Sequence, residues 1–241
     1  MRVHLMRVHV WMAALATLAL PFGLLAQEKT PDISGLWSAR GLSANIYEKG
    51  DPYMTPWAKQ KLAEAKPSFG PKSVLLTETN DPVYKCYPPG VPRIYFHPFP
   101  LQIVQIPGQV ILMYEYDHTV RHVFTDGRKH PEDAEPTWLG HSIGHWEGDT
   151  LVIDTVGQND KTWIDRVGRA HSEQLHVIEK MKRTAQDNLQ IDVTLEDPKA
   201  YTQPFTVQFN MQLRPKWDIA EMYCLDTLGF ETFESGKPAN K

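Results

Sequence analysis

The chain has 241 residues, 25 of them Lys or Arg and 29 Asp or Glu, for a formal charge of −4. That length suits one large all-β domain or two small ones. No run of five or more basic residues occurs, which argues against a nucleic-acid footprint, and two cysteines outside any C-x-x-C pair argue against redox catalysis or a cysteine-rich zinc site.

The chain opens on basic Arg2 and Arg7. Val8 to Leu25 is then almost wholly apolar, His9 being the exception, and polarity returns at Gln27. This reads as a signal peptide over 1–26, with a cut after Ala26, although Leu24 is a poor residue three positions before that cut. The alternative is an uncleaved membrane anchor. No Cys follows the apolar run, which disfavours a lipoprotein. Removal of 1–26 leaves 23 basic and 29 acidic residues, a charge of −6. The expected location is periplasmic or secreted, with no membrane association once the signal is gone. An oxidising compartment favours a disulfide between Cys86 and Cys224, tying the start of the β region to its last strand. Two buried thiols are the alternative.

Residues 27–85 read as an N-terminal extension and 86–241 as a β-barrel domain. Asp32 to Trp37 is a short opening strand. Thr55 caps a short helix over about 56–66, with Pro56 at its first position and Pro67 as its stop. Its thin apolar stripe, Trp57 and Leu62, places it on the outside of something else. Eight prolines between Pro67 and Pro100 mark extended or turning chain.

From about residue 101 the hydrophobic period is two. Pro107-Gly108 turns into a long strand, Val110 to Phe124, closed by Asp126-Gly127. Trp146 to Thr150 is a tight hairpin with Gly148 in its turn, and Leu151 to Thr155 is its second arm. His176 to Met181, Leu189 to Glu196, Phe205 to Leu213 and Ile219 to Cys224 follow, with a turn at Asp197-Pro198. About eight strands at hairpin spacing and one helix predict an all-β antiparallel barrel or sandwich.

Eight histidines follow the signal peptide. Two pairs, His118/His122 and His141/His145, are spaced four apart. On a strand that spacing spans about 13 Å, too far for one ion whose ligands lie about 2 Å away, so no metal site is assigned. A metal held by histidines of different strands remains a distinct alternative. The strand 110–124 has two faces. One carries Tyr114, Tyr116, His118, His122 and Phe124, and the other Glu115, Arg121 and Val123. Either the first face is plain core, or it lines a cavity as an amphipathic wall. Asp126 and Arg128 sit in a charged turn where they can pair. Trp163 to Glu173 is a second polar stretch. Ser172 has no Gly-x-Ser-x-Gly around it, so a serine nucleophile is disfavoured. A histidine beside a carboxylate, with Asp154, Asp165 or Glu173 as the partner, would make an acid–base couple. A hydrogen-bonded structural loop is the competing reading. No phosphate loop or dinucleotide fingerprint appears, and no cofactor is expected.

Several short motifs occur in order: Cys86-x-Pro-Pro-Gly-Val-Pro-Arg93, Tyr114-Glu-Tyr-x-His118-x-x-Arg121, Asp126-Gly-Arg-x-His-Pro131, Ser142-x-Gly-x-Trp-Glu-Gly-Asp-Thr-Leu-Val-Ile-Asp-Thr155, Trp163-x-Asp165-x-x-Gly-x-x-His-Ser-Glu173 and Asp197-Pro-Lys-Ala-Tyr-Thr202. Through them about half the chain resembles a large, uncharacterised group of exported bacterial proteins. The resemblance implies a lipocalin-like β barrel and carries no established reaction with it. One departure is Glu179-Lys180, where the resemblance implies Glu-Arg. Lysine keeps the charge and loses a bidentate donor.

The functional expectation is a small-molecule site inside the barrel. The first reading is a cofactor-independent lyase, isomerase or hydrolase acting on a small apolar or aromatic compound. His118 or His171 would be the base, Arg121 would steady an anion, and Asp154, Asp165 or Glu115 would orient the histidine. Tyr114, Tyr116, His122, Phe124, Trp146, Trp163 and Ser172 are the candidate ligand contacts. A non-catalytic periplasmic binder for a hydrophobic ligand is the alternative, and a metal-dependent enzyme the third. Substrate identity and oligomeric state are not set by the sequence.

Overall fold

The two-residue alternation becomes a closed wall of strands in the computed structural model, which describes residues 30–41, 45–47, 53–133 and 135–224. The expected signal peptide, residues 1–26, lies outside the described residues. In chain order the elements are β1 Gly35–Ala39, α1 Pro56–Glu64, β2 Leu101–Ile106, β3 Gln109–Tyr114, β4 Val120–Phe124, β5 His141–Glu147, β6 Thr150–Val156, β7 His176–Ala185, β8 Asn188–Glu196 and β9 Phe205–Leu213. Each strand pairs with the next, and β1 closes the ring on β9. The wall therefore draws on residues 35–39 as well as on the 86–241 segment marked out by periodicity. Among the described residues no helix is long and apolar enough to cross a membrane.

Local chemistry explains the hairpins. Pro107-Gly108 and Gly148 occupy tight turns, with Gly148 at φ +60°, where a side chain would be strained. Thr55 caps α1 by accepting from the Ala58 N–H at 3.3 Å, and Pro56 takes the first helical position. The helix packs on the barrel through buried Ala58 and the partly buried Trp57 and Leu62.

Two strand expectations are corrected. Val110 to Phe124 is a hairpin, β3 and β4, rather than one strand. Residues 116–118 form a 3-10 turn, with Asp117 at φ +50° and His118 at φ +49°. Leu112 pairs with Arg121 and Val110 with Val123. Tyr114 and Arg121 therefore share the inward side, while His118 is exposed. Ile219–Cys224 is not a strand. It runs beside the β3–β4 turn, held by Ala220 N–H to Glu115 Oε2 at 2.8 Å and Cys224 N–H to Asp117 Oδ1 at 3.2 Å. Cys86 and Cys224 form the expected disulfide, with Cα atoms 5.5 Å apart. It anchors this final segment rather than a last strand.

A ring of nine strands cannot be antiparallel throughout, because direction would fail to match on return to the start. Here the mismatch falls between β4 and β5, the single parallel neighbour pair. Their contact is short, Val123 to Ser142 and Phe124 to Ile143 only. A groove lies beside this short contact, lined by residues 119–122 and 137–142 among others.

Inward side chains fill the middle of the barrel. Leu151, Ile153, Val177, Met181, Ile191 and Val193 are fully buried. Among them lies an ion pair between Arg121 and Glu179, 2 % and 0 % exposed at their side chains. Arg121 also donates to Ser142 Oγ at 3.0 Å, Thr155 Oγ1 at 2.7 Å and Tyr95 Oη at 3.5 Å. Tyr95 enters from the buried turn Arg93–Phe96 and donates to Glu179 at 2.5 Å. The bidentate partner of Glu179 is thus Arg121. Lys180 points outward, so the Glu-Lys departure leaves this pair intact.

Candidate functional site

The structure distributes the predicted catalytic residues over separate places. His118 is exposed in the β3–β4 turn, its ring centroid 4.6 Å from that of Tyr223. Glu115, next to it, holds the final segment. Arg121 has each of its N–H groups committed to the interior network. Asp165 is fully buried and accepts from the Val167 and Arg169 N–H groups, the Ile46 N–H and the Arg169 guanidinium. It braces a turn.

His171 is 1 % exposed. Its Nδ1–H can only donate to the Ser172 carbonyl, at 3.0 Å, which makes Nε2 the acceptor of the Thr162 hydroxyl at 2.8 Å. Both ring nitrogens are spent. Ser172 donates to Asp197 Oδ1 at 2.8 Å, and Asp197 in turn accepts from the Lys199 and Ala200 N–H groups. These residues tie a loop to the turn before β9.

The predicted ligand contacts also fail to converge. Tyr114 is buried inside, donating to Tyr95 at 3.3 Å. Tyr116 is buried beside the disulfide. Trp146 packs on the core from the β5–β6 hairpin, and Trp163 lies under the Arg93 guanidinium at 5.4 Å. His122 and Phe124, by contrast, line a groove of about 510 Å³ beside the β4–β5 contact. Its other apolar contributors include Val120, Trp138 and Leu139, and His141 stands at its edge.

Asp154 stands beside histidines, though neither is His118 or His171, the two it was expected to orient. Asp154 on β6 accepts from His130 Nε2 at 3.1 Å and from His176 Nε2 at 2.8 Å. His130 Nδ1 meets His141 Nδ1 at 2.9 Å. The carboxylate only accepts, so His130 carries its proton on Nε2. His130 Nδ1 is then an acceptor, and His141 donates to it from Nδ1. The tautomer that follows leaves a lone pair on His141 Nε2. Phe124 stacks on the His141 ring with centroids 5.5 Å apart. Burial, then the neighbouring His130 and Arg128, hold His141 below the ordinary imidazole value, so its neutral form prevails at neutral pH. The Arg128 guanidinium covers Phe124 at 3.8 Å and pairs with Asp126, as the charged turn suggested.

A signal for this chain of groups was present. A hairpin about Gly148 sets Asp154 opposite Ile143 and diagonal to His141. His176 is diagonal to Asp154 across the next pair of strands. His130 came from a loop with no periodicity to place it. Among the described residues no cluster of three or more His, Cys, Asp or Glu is arranged to hold a metal ion. A wider opening of about 730 Å³ between residues 39–41, residues 45–47 and β9 presents no histidine or carboxylate among its described lining residues.

No family model matches the chain, and no curated protein or solved structure matches it either. The likeness to exported bacterial proteins therefore rests on the ordered motifs alone.

Proposed function

We propose that the protein is an exported, cofactor-independent enzyme that moves a proton on a small apolar or aromatic molecule bound in the β4–β5 groove. His141 is the general base. The observation that carries this is the chain Asp154–His130–His141, which ends in a lone pair beside a hydrophobic groove. When His141 Nε2 takes a proton, its Nδ1–H···Nδ1 bond to His130 strengthens, and Asp154 supports the charge through His130. The aromatic walls supply an apolar seat for the substrate. Export is supported by the basic and apolar leader and by a disulfide that an oxidising compartment sustains.

The test is turnover of a panel of aryl-substituted ketonisable enols and enolisable ketones by the full chain. His141→Asn should reduce turnover by about 10²–10⁴-fold, the usual contribution of a positioned acid–base group. Asp154→Asn should reduce it less, and His118→Asn should leave it unchanged. Undiminished turnover in His141→Asn removes the assignment. The groove's apolar lining favours a second reading, a carrier for a hydrophobic ligand. A retained organic ligand in the native mass spectrum, with no member of the panel turned over, would select it.

A further inference from the structure

A separate hollow of about 230 Å³ lies beneath the final segment, next to the disulfide, and shares no lining residue with the groove. Arg93 forms part of its wall and is 1 % exposed. One arm of its guanidinium reaches Asp81 Oδ2 at 2.5 Å. Its Nε and Nη1, both buried, have no hydrogen-bond partner in the protein. His97, 7 % exposed, faces the same space, and its Nε2 is likewise buried without a partner. Arg166 reaches the hollow across the Phe69 ring, 3.5 Å away.

The charge balance is one-sided. Two guanidiniums face one carboxylate, Asp81, among the described lining residues. Burial, and secondarily Arg93, depress His97 well below the ordinary imidazole range. The histidine is therefore a neutral donor or acceptor and adds no further charge. Buried donors left without acceptors are rare in folded proteins and point to a missing acceptor. The remaining wall is apolar, with Val83, Phe99, Tyr116 and Met222.

We propose that this hollow binds a small aromatic carboxylate, its charged end taken by Arg93, Arg166 and the His97 Nε2–H, its ring lying against Phe99, Tyr116 and Met222. One surplus positive charge matches a monoanion. A phosphate dianion would bring more charge and more acceptor oxygens than this wall satisfies, and nothing to cover the apolar side. The volume is suited to a single substituted ring, since an apolar cavity of about 150 Å³ admits benzene. Arginine is the residue suited to a carboxylate here, because its planar fork meets both oxygens at once.

The experiment is calorimetric titration of the full, disulfide-intact chain with benzoate, with its neutral isostere benzamide, and with inorganic phosphate. Benzoate should bind saturably and one to one, with benzamide at least about tenfold weaker, as loss of a charge-assisted contact implies. Arg93→Gln should abolish the preference for benzoate. Arg166 is only half-buried, so Arg166→Gln keeps the test valid if the first variant does not fold, and should weaken benzoate about tenfold. The proposal is overturned by an absence of saturable benzoate binding, by equal affinity for benzoate and benzamide, or by phosphate binding in preference to benzoate.

Discussion

Arg121 brings five N–H groups into the barrel, and the interior supplies an acceptor for each: Glu179 twice, Ser142, Thr155 and Tyr95. Such saturation makes the residue structural, since no donor is left for an anionic intermediate. Its removal is costly because Glu179 would keep a buried charge without a partner. Arg121→Met should destabilise the fold by about 3–5 kcal/mol, whereas the double change with Glu179→Leu should recover most of that loss. Urea unfolding of the two variants is the measurement. The buried histidines act on stability through pH. Burial lowers both His97 and His171 in the folded state. As pH falls below the unfolded value of about 6.5, the unfolded chain takes up these protons before the native one. Stability is therefore complete above that pH and declines below it. The urea midpoint should fall between pH 7 and pH 5, and His171→Gln should flatten that slope.

The β3–β4 turn illustrates what alternation alone conceals. Aromatic and β-branched residues run through 110–124 without glycine or proline, so nothing in the pattern announces a reversal. The chain nevertheless turns there, with two non-glycine residues in the left-handed region. The cost of that region to an L-residue is about 1–2 kcal/mol. Asp117 repays its share by accepting from the Cys224 N–H. His118 is exposed, and among the described residues its ring makes no hydrogen bond to offset its own. His118→Gly should therefore raise the melting temperature slightly, and a drop would show that its ring contact with Tyr223 outweighs the backbone cost. The elements marked by punctuation were legible: α1 by Thr55 and Pro56, the β2–β3 hairpin by Pro107-Gly108, the β5–β6 hairpin by Gly148. The β4–β5 groove was not, because it lies where a nine-membered ring places its one parallel contact. That is a property of closure and of no single segment. The acid–base chain was half legible, Asp154 from its strand but His130 only from tertiary contact.

At the scale of the whole molecule, barrel closure and the disulfide do different work. The strand registers run continuously from β1 to β9, Arg214 N–H extends the β1–β9 closure by donating to the Leu36 carbonyl at 2.7 Å, and residues 215–224 add nothing to them. The bridge spans 138 residues, a stretch that holds eight of the nine strands. It therefore constrains the unfolded chain more than it shapes the folded wall. In the chain-entropy account a loop of that length is worth about 5 kcal/mol, with measured effects for native bridges of about 2–5 kcal/mol. Replacing both Cys86 and Cys224 by serine should accordingly lower unfolding stability by that range while leaving the far-UV circular dichroism of the folded protein strand-rich. Locally the effect should be larger. Met222 covers the Arg93 hollow and is held near it through Cys224, with further support from the Glu115 and Asp117 contacts and from the ring contact of Tyr223 with His118. Benzoate affinity should thus fall in the double variant under conditions where the barrel is still fully folded. Loss of the strand signal on removal of the bridge would instead show that the disulfide holds the wall itself, and that the division between barrel and clasp is wrong.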